Sequence, residues 1–349
     1  MEAGEATIVL KNQSGNYWQL NTGGAYYPNV IPKKRVNIRA TYGSTYDLYT
    51  GYAEGWNPSW QSESGGLACI VNLECSDVIK FLANFGLNDA VGYAQELSGT
   101  RIGNVLDDIG FPAADRDLDA GKSQMQATGA LSDEPAMEHL FVVQQSELGI
   151  IYQAGDGDLQ FEDRHHRLLN HTTSLATFGD DVGEEHYHGL DPRNDDEFIK
   201  NDIRITREGG SQQSASDATS QTKFGPSTLS RTGLLMTTDA EAADQANYLL
   251  KSHKDEQLRP KTLRINAVRN PASLWAKVLG YEISDRITLR RNEAFIDQDF
   301  HIEGITHDID LQLGTWSTYW ELSAADNEQY WILGTVGFSE LGTTTYLAY

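Results

Sequence analysis

Five of the nine histidines in this 349-residue chain fall in one stretch: His165, His166, His171, His186 and His188, with Glu184 and Glu185 beside the last two. Neutral imidazoles and carboxylates are donors that zinc accepts. The stretch has neither an H-E-x-x-H pattern nor paired Cys/His spacing, so the sequence predicts no metal site and no cofactor. Gly121-Lys122-Ser123 has the ending of a phosphate-binding loop, but the position five residues before Gly121, where a second glycine is required, holds Arg116. Asp115, Asp117 and Asp119 have the spacing of a calcium loop, yet Ala120 follows where the tight turn needs glycine and no Glu closes the loop; a solvated acidic loop is the reading. A Gly-x-Ser-x-Gly nucleophile elbow is absent. With 50 acidic residues, a carboxylate pair at glycosidase spacing carries no information. The chain is therefore expected not to be an enzyme.

Aromatic residues carry more signal. Trp18, Trp56, Trp60, Trp275, Trp316, Trp320 and Trp331 lie almost entirely toward the two ends of the chain. Trp and Tyr pack cores, fill pockets at subunit interfaces and serve as sugar-stacking platforms. Val36 to Trp56 (VNIRATYGSTYDLYTGYAEGW) reads as a hairpin turned at Gly43-Ser44-Thr45. In its first arm Val36, Ile38, Ala40 and Tyr42 alternate with Arg35, Asn37, Arg39 and Thr41, the period of a half-buried strand. In its second arm simple alternation puts Tyr46, Leu48, Thr50, Tyr52 and Trp56 on one face, with Tyr49 and Ala53 beside Asp47 on the other. A hairpin is not stable alone, so this one joins a larger sheet or a neighbouring subunit.

The elements around it are mainly β at both ends, with helices concentrated in the middle. Cys69 and Cys75 share a strand face roughly 20 Å apart at ~3.3 Å per residue, too far to bond to each other. Two cysteines give no disulfide framework and suit a reducing cytoplasm. A helix capped by Ser76 carries Val78, Phe81, Leu82 and Phe85; a second spans Thr100 to Ile109 and stops at Gly110; a third starts near Asp133 with Pro135 in its first turn and buries Met137, Leu140, Phe141 and Leu148. A hairpin pairs Ile150 to Tyr152 with Leu159 to Phe161 around Gly155-Asp156-Gly157. Strands resume at Asp202 to Arg207. Gly209 to Gln221 is polar and reads as a flexible loop. Thr238-Asp239-Ala240-Glu241 opens a helix with Ala242, Ala246, Leu249 and Leu250 on one face. Thr262 to Ala267, Tyr281 to Arg290, Phe300 to Asp310 and Trp316 to Leu322 read as strands.

The net charge of −23 opposes nucleic-acid binding, which needs a basic footprint. The N-terminal MEAGEATIV lacks the basic and apolar regions of a signal peptide, and no run reaches the ~20 apolar residues of a membrane span.

The chain resembles phage minor tail proteins of the tail-hub, baseplate-hub-like family. The resemblance begins with the Val36 to Trp56 hairpin. It continues through Gly99 to Pro112 (GTRIGNVLDDIGFP), Ser146 to Gly149 (SELG), Gly157 to Arg164 (GDLQFEDR), Asn201-Asp202, Arg207 to Gly210 (REGG), Asp217 and Phe224 to Pro226 (FGP). Leu279-Gly280, Asp285 to Ile287 (DRI), Ile302 to His307 (IEGITH) and Leu322 to Ala325 (LSAA) complete it. It covers most of the chain in order, and no single motif is diagnostic.

The resemblance implies a mainly β chain in which two β-barrel-like tube domains flank a small α+β domain. Residues 1–75 would begin the first, 76–200 the insertion, 201–325 the second, and 326–349 a C-terminal extension. It implies a homo-oligomeric ring, a trimer imitating a six-fold ring, located at the phage tail tip and assembled in the host cytoplasm. Its partners would be further tail proteins: the distal tail ring, the tape measure and the fibre or receptor-binding proteins. DNA would pass through without specific binding, repelled by carboxylates over a Debye length of ~8 Å. Gly209 to Gln221 would then be ordered against a neighbouring subunit. Arg35, Arg39, Tyr46, Tyr52, Trp56, Trp60, Arg207, Trp316 and Trp320 are the candidates for subunit-interface or channel-facing positions. The rivals are a hexameric distal-tail ring, a carbohydrate-binding adhesin and a cell-wall hydrolase of the tail.

Overall fold

The computed structural model describes residues 3–63, 66–87, 91–193, 196–256, 259–325, 329–331 and 345–347. The chain forms two compact units, Met1–Arg164 and His165–Tyr349, and is mainly β with short helices, as expected.

The first unit opens with β1 (Glu5–Lys11), β2 (Arg35–Tyr42), β3 (Ser44–Glu63) and β4 (Gly66–Ser76), an antiparallel sheet in the order β1-β4-β3-β2. The β2–β3 hairpin thus finds the larger sheet it needs within its own unit. Its turn is tighter than the sequence suggests: Tyr42 pairs with Ser44, and Gly43 alone takes the left-handed conformation, φ 69°. Register shifts at Ile38/Arg39 and at Ala53/Gly55 insert Leu48 and Glu54 as extra residues in β3. Each bulge moves later side chains to the opposite face. Tyr46 and Trp56 therefore share the side of Tyr49 and Ala53, while Thr50 and Tyr52 join Asp47 opposite Arg35, Asn37 and Arg39. This corrects the faces read from simple alternation. Ala53, Leu73 and Cys75 form the core of the apolar side, with Ile8, Val36, Tyr49 and Trp56 packed on it. Cys69 and Cys75 are buried and unbonded, and burial pushes the Cys75 thiol up to about 11.

An α+β module follows in the same unit: α1 (Val78–Leu82), β5 (Glu96–Leu97), α2 (Ser98–Asp108), β6 (Arg116–Leu118), β7 (Gln124–Met125), α3 (Ala136–Glu147), β8 (Ile150–Gln153) and β9 (Leu159–Glu162). Asp77, not Ser76, caps α1, accepting the Ile79 amide at 2.9 Å, and the helix ends by Ala83, short of Gly86. In α2 the predicted Ile102, Val105 and Leu106 are fully buried. In α3 the core face is Ala136, Leu140 and Val143, whereas Phe141 is exposed: helical spacing from Leu140 favours positions 136 and 143 over 141. β8 and β9 pair as expected.

The second unit contains α4 (His166–Asn170), β10 (Thr177–Phe178), β11 (Gly189–Arg193), β12 (Asp202–Arg207), β13 (Gln213–Ser216), α5 (Ala218–Phe224), β14 (Thr228–Leu234), α6 (Asp239–His253), β15 (Arg259–Ile265), α7 (Pro271–Gly280), β16 (Arg286–Arg291), β17 (Ile296–Asp310) and β18 (Thr315–Ala324). Six strands form one sheet in the order β10-β16-β17-β18-β15-β11. β10 and β11 come from the stretch read as insertion. The core holds Phe178, Leu263, Ile265, Leu274, Val278, Ile287, Leu289, Phe300, Ile302 and Trp320. Leu274 and Val278 come from α7, a helix inside a stretch read as nearly all β; Pro271 at its first position presets the helical φ. Tyr281–Asp285, read as the start of a strand, is a turn, and pairing begins only at Arg286.

A separate sheet, β13-β12-β14, packs against α6. The stretch Gly209 to Gln221, read as a flexible loop, supplies β13 and the start of α5. Asp217 caps α5 by accepting the Ser220 amide at 2.9 Å, and Thr238 caps α6 through the Glu241 amide at 3.2 Å. Most of the C-terminal extension, 326–349, lies outside the described residues; 329–331 and 345–347 form a short parallel pair.

Candidate functional site

The polar face of the β2–β3 hairpin, read as interface or channel lining, is met by the α+β module of its own unit. The Thr50 hydroxyl donates to the Gly155 carbonyl at 2.9 Å, and Arg35 donates to the Asp156 carbonyl at 3.3 Å while pairing with Asp115 at 3.6 Å. A Cβ at Gly155 would collide with the Asp47 carbonyl, so the β8–β9 turn comes close enough to require glycine. Tyr52 stacks on Phe81 of α1, centroids 5.4 Å apart. Arg35 and Tyr52 are thus engaged within the unit.

Beyond that contact, Arg39 is mostly exposed and pairs with Asp47 at 2.5 Å near the hairpin tip. Tyr46 is half-buried. Trp56 packs on the sheet core, stacks with Tyr17 at 6.1 Å and donates to the Ile31 carbonyl at 3.1 Å. Trp60 is 54 % exposed, with Trp18 edge-on at 6.2 Å. In the second unit Arg207 pairs with Asp239 at 2.6 Å. Trp316 meets Trp275 edge-on at 4.9 Å and donates to His307 at 3.2 Å. Trp320 is fully buried between Phe178 and Tyr281. It is a core residue, clustered with Leu274 and Val278 of α7, and its full burial is incompatible with the expected interface or channel-facing position. Arg39 and Trp60 are the candidates that remain most accessible.

Gly121-Lys122-Ser123 does bind an anion, an internal one. The Lys122 and Ser123 amides donate to one Glu147 carboxylate oxygen at 3.0 and 2.6 Å, and the Ser98 hydroxyl donates to it at 2.7 Å. Arg164 lies 3.5 Å from the other oxygen. Glu147 is fully buried. In the same module the fully buried Arg101 donates to Glu96 at 2.6 Å and to the Ala94 and Gln126 carbonyls at 2.8 and 2.9 Å, with its guanidinium over Tyr93. These groups fix the module's loops to α2 and α3. Asp115, Asp117 and Asp119 are not gathered as ion ligands among the described residues: β6 extends the chain through Asp117, Asp115 pairs with Arg35 at 3.6 Å, and Asp119 accepts the Asp163 amide at 3.0 Å.

Of the histidines, His186 donates its Nδ1–H to the Gly179 carbonyl, 3.2 Å away. His166 and His171 flank α4 with ring centroids 5.6 Å apart, and His171 meets His301 of β17 edge-on at 6.4 Å. Sequence reading missed His301, which lies far away in the chain and whose Nδ1 is 2.9 Å from the Ser284 carbonyl. Burial pushes His301 and His307 down to about 4, and His139 in the first unit likewise, with Arg101 adding to the last.

No family model matches the sequence, and no curated protein matches it. In fold the chain is similar to the 43 kDa tail protein of prophage MuSo2 from Shewanella oneidensis, with TM-score 0.60 and 14% identity over 92% of this chain and 90% of that one. It is equally similar to the tail protein from Neisseria meningitidis MC58, with TM-score 0.61 and 11% identity over 92% and 88%. A third likeness, TM-score 0.51 and 10% identity over 93% and 71%, is to the E. coli c3393 protein. That protein is a type VI secretion component with structural similarity to the T4 bacteriophage tail proteins gp27 and gp5. The chain has the fold of these tail proteins.

Proposed function

We propose that this chain is a structural subunit of a phage tail tip, forming a trimeric hub ring that joins the tail tube to the receptor-binding or puncturing apparatus. The observation that carries the reading is the fold shared with two tail proteins over 92% of this chain. The ordered motif resemblance agrees with it, and among the described residues no helix is long and apolar enough to cross a membrane. In this reading the protein performs no catalysis; its carboxylate surplus lets DNA pass without adhering, and exposed side chains such as Trp60 and Arg39 meet tail partners. The hexameric distal-tail ring differs by subunit count. Native mass spectrometry of the purified chain, alone and with its neighbouring tail proteins, is expected to give a three-subunit assembly. A six-subunit ring transfers the chain to the rival role, and failure to enter tails at all refutes both.

A further inference from the structure

We propose that β14 of one copy is a docking edge for β1 of a second copy, which adds to it as a parallel strand with Glu5 opposite Arg231. This rests on the ring reading above and names a contact through which the ring closes. β14 is an edge of the β13-β12-β14 sheet. The Asp202 amide donates to the Ser227 carbonyl at 3.1 Å and β12 pairs with β14 in parallel, so Leu229 and Arg231 turn their backbone groups toward β12. Those of Thr228, Ser230 and Thr232 point outward, and among the described residues no strand meets them. Arg231 pairs in register with the fully buried Ile205, on the apolar side of a sheet whose other two strands α6 covers. It is half-buried and has no hydrogen bond or ion pair among the described residues; burial alone acts on its guanidinium, pushing it down from its ordinary value.

A free anion would need donors only. This edge alternates donors and acceptors at the strand period and sets a desolvated cation beside them, which an added strand carrying a carboxylate complements. Antiparallel pairing of β14 with its own copy about its centre would bring two Arg231 side chains together, so the contact is heterologous, the kind that closes rings. Among the described residues three other edge strands have five residues or more: β1, β2 and β11. β2 carries Arg35 and Arg39 and no carboxylate. β11 has Asp191, but Pro192 and a register shift follow it, and both blunt an edge. β1 pairs with β4 without a shift, and its Glu5 is exposed and in no salt bridge among the described residues. The Asn12 amide donates to the Cys69 carbonyl and the Asp77 amide to the Gly4 carbonyl, so the backbone groups of Glu5, Thr7 and Val9 point away from β4. Two edges of these parities put Glu5 and Arg231 on one face only when the strands run parallel.

The test is sedimentation velocity of the purified full chain over a concentration series. Arg231→Glu and Glu5→Arg are each expected to weaken self-association by about tenfold or more, and the double variant that exchanges the two charges is expected to recover it. Ser230→Pro, which removes only an outward amide, is expected to weaken it likewise. Circular dichroism checks that each variant folds, and Glu5→Arg, on an exposed face, carries the test should an Arg231 variant not fold. An inward charge on an edge strand can instead serve only to keep partners off, and Arg231→Ala would then increase association. That increase overturns the docking, as do unchanged association in both single variants, a double variant that does not recover, and a wild-type chain that stays monomeric. The ring reading falls separately, on copy number in intact tails.

Discussion

Replacing Glu147 by alanine tests whether the internal anion nest holds the first unit together. The substitution removes a fully buried carboxylate and strands the Ser98 hydroxyl and the Lys122 and Ser123 amides, which donate to it at 2.7, 3.0 and 2.6 Å. Each buried donor left unmet costs about 1–3 kcal/mol. Arg164, 3.5 Å away, loses its buried counter-charge, a loss worth about 3–5 kcal/mol when one partner of such a pair is deleted. The terms share atoms and do not add in full, so the expected destabilisation is about 4–5 kcal/mol. That is a large share of the ~5–15 kcal/mol that holds a typical domain. With a urea m-value of ~2 kcal/mol per molar, the midpoint for the first unit falls by about 2 M. Glu147→Gln keeps an acceptor oxygen for the amides and is expected to lose roughly half as much. Glu138→Gln, exposed on the same helix, is the control and is expected to stay near wild type. The assay is urea unfolding of the full chain, read by hydrogen exchange at residues of α2 and α3 so that the two units are followed separately. A loss below 1 kcal/mol for Glu147→Ala would refute the reasoning.

Three further outcomes follow from named contacts. Trp320→Ala, removing a fully buried ring from between Phe178 and Tyr281, is expected to cost about 3–5 kcal/mol in denaturant melts; less than 1.5 would mean the second core is not built around it. His139 and His307 are held neutral by burial at about 4, below the ordinary value near 6.5, so the unfolded chain takes up protons first as the pH falls. Their stabilising effect is whole above pH 6.5 and is lost between about 6.5 and 4, roughly 3 kcal/mol per ring. His139→Gln should flatten that part of the Tm–pH curve, and an NMR midpoint of 6.5 for His139 would contradict it. Trp60→Ala, at 54 % exposure, is expected to leave Tm within 2 °C while lowering incorporation into tails severalfold; unchanged incorporation removes Trp60 from the interface.

The sequence showed the β character, the second and third helices, the β8–β9 hairpin and the α6 cap, because each rests on local periodicity or capping chemistry. It did not show which way the β2–β3 hairpin faces: two single-residue bulges at Leu48 and Glu54 invert the pattern, and bulges leave no trace in alternation. α7 is short and lies between two predicted strands, and Pro271 at its first position is the sequence signal that marks it. Gly209 to Gln221 read as flexible because its polar residues bond to backbone and caps instead of filling a core. Glu147 was findable in principle: an acidic residue at a helix C-terminus opposes the macrodipole, and such a violation marks a residue held for another purpose. The imidazole neighbours were half legible, since His166 and His171 are close in sequence while His301, which meets His171 edge-on, comes from β17 far along the chain.

The central claim is that this chain is a ring subunit of a phage tail tip, and a cryo-EM reconstruction of intact tails carrying the protein tests it most directly. The account predicts three copies in one ring at the distal end of the tube, with acidic residues facing the lumen and Arg39 and Trp60 at contacts with other chains. Absence of the chain from the tail, or a ring whose lumen is strongly basic, would contradict it.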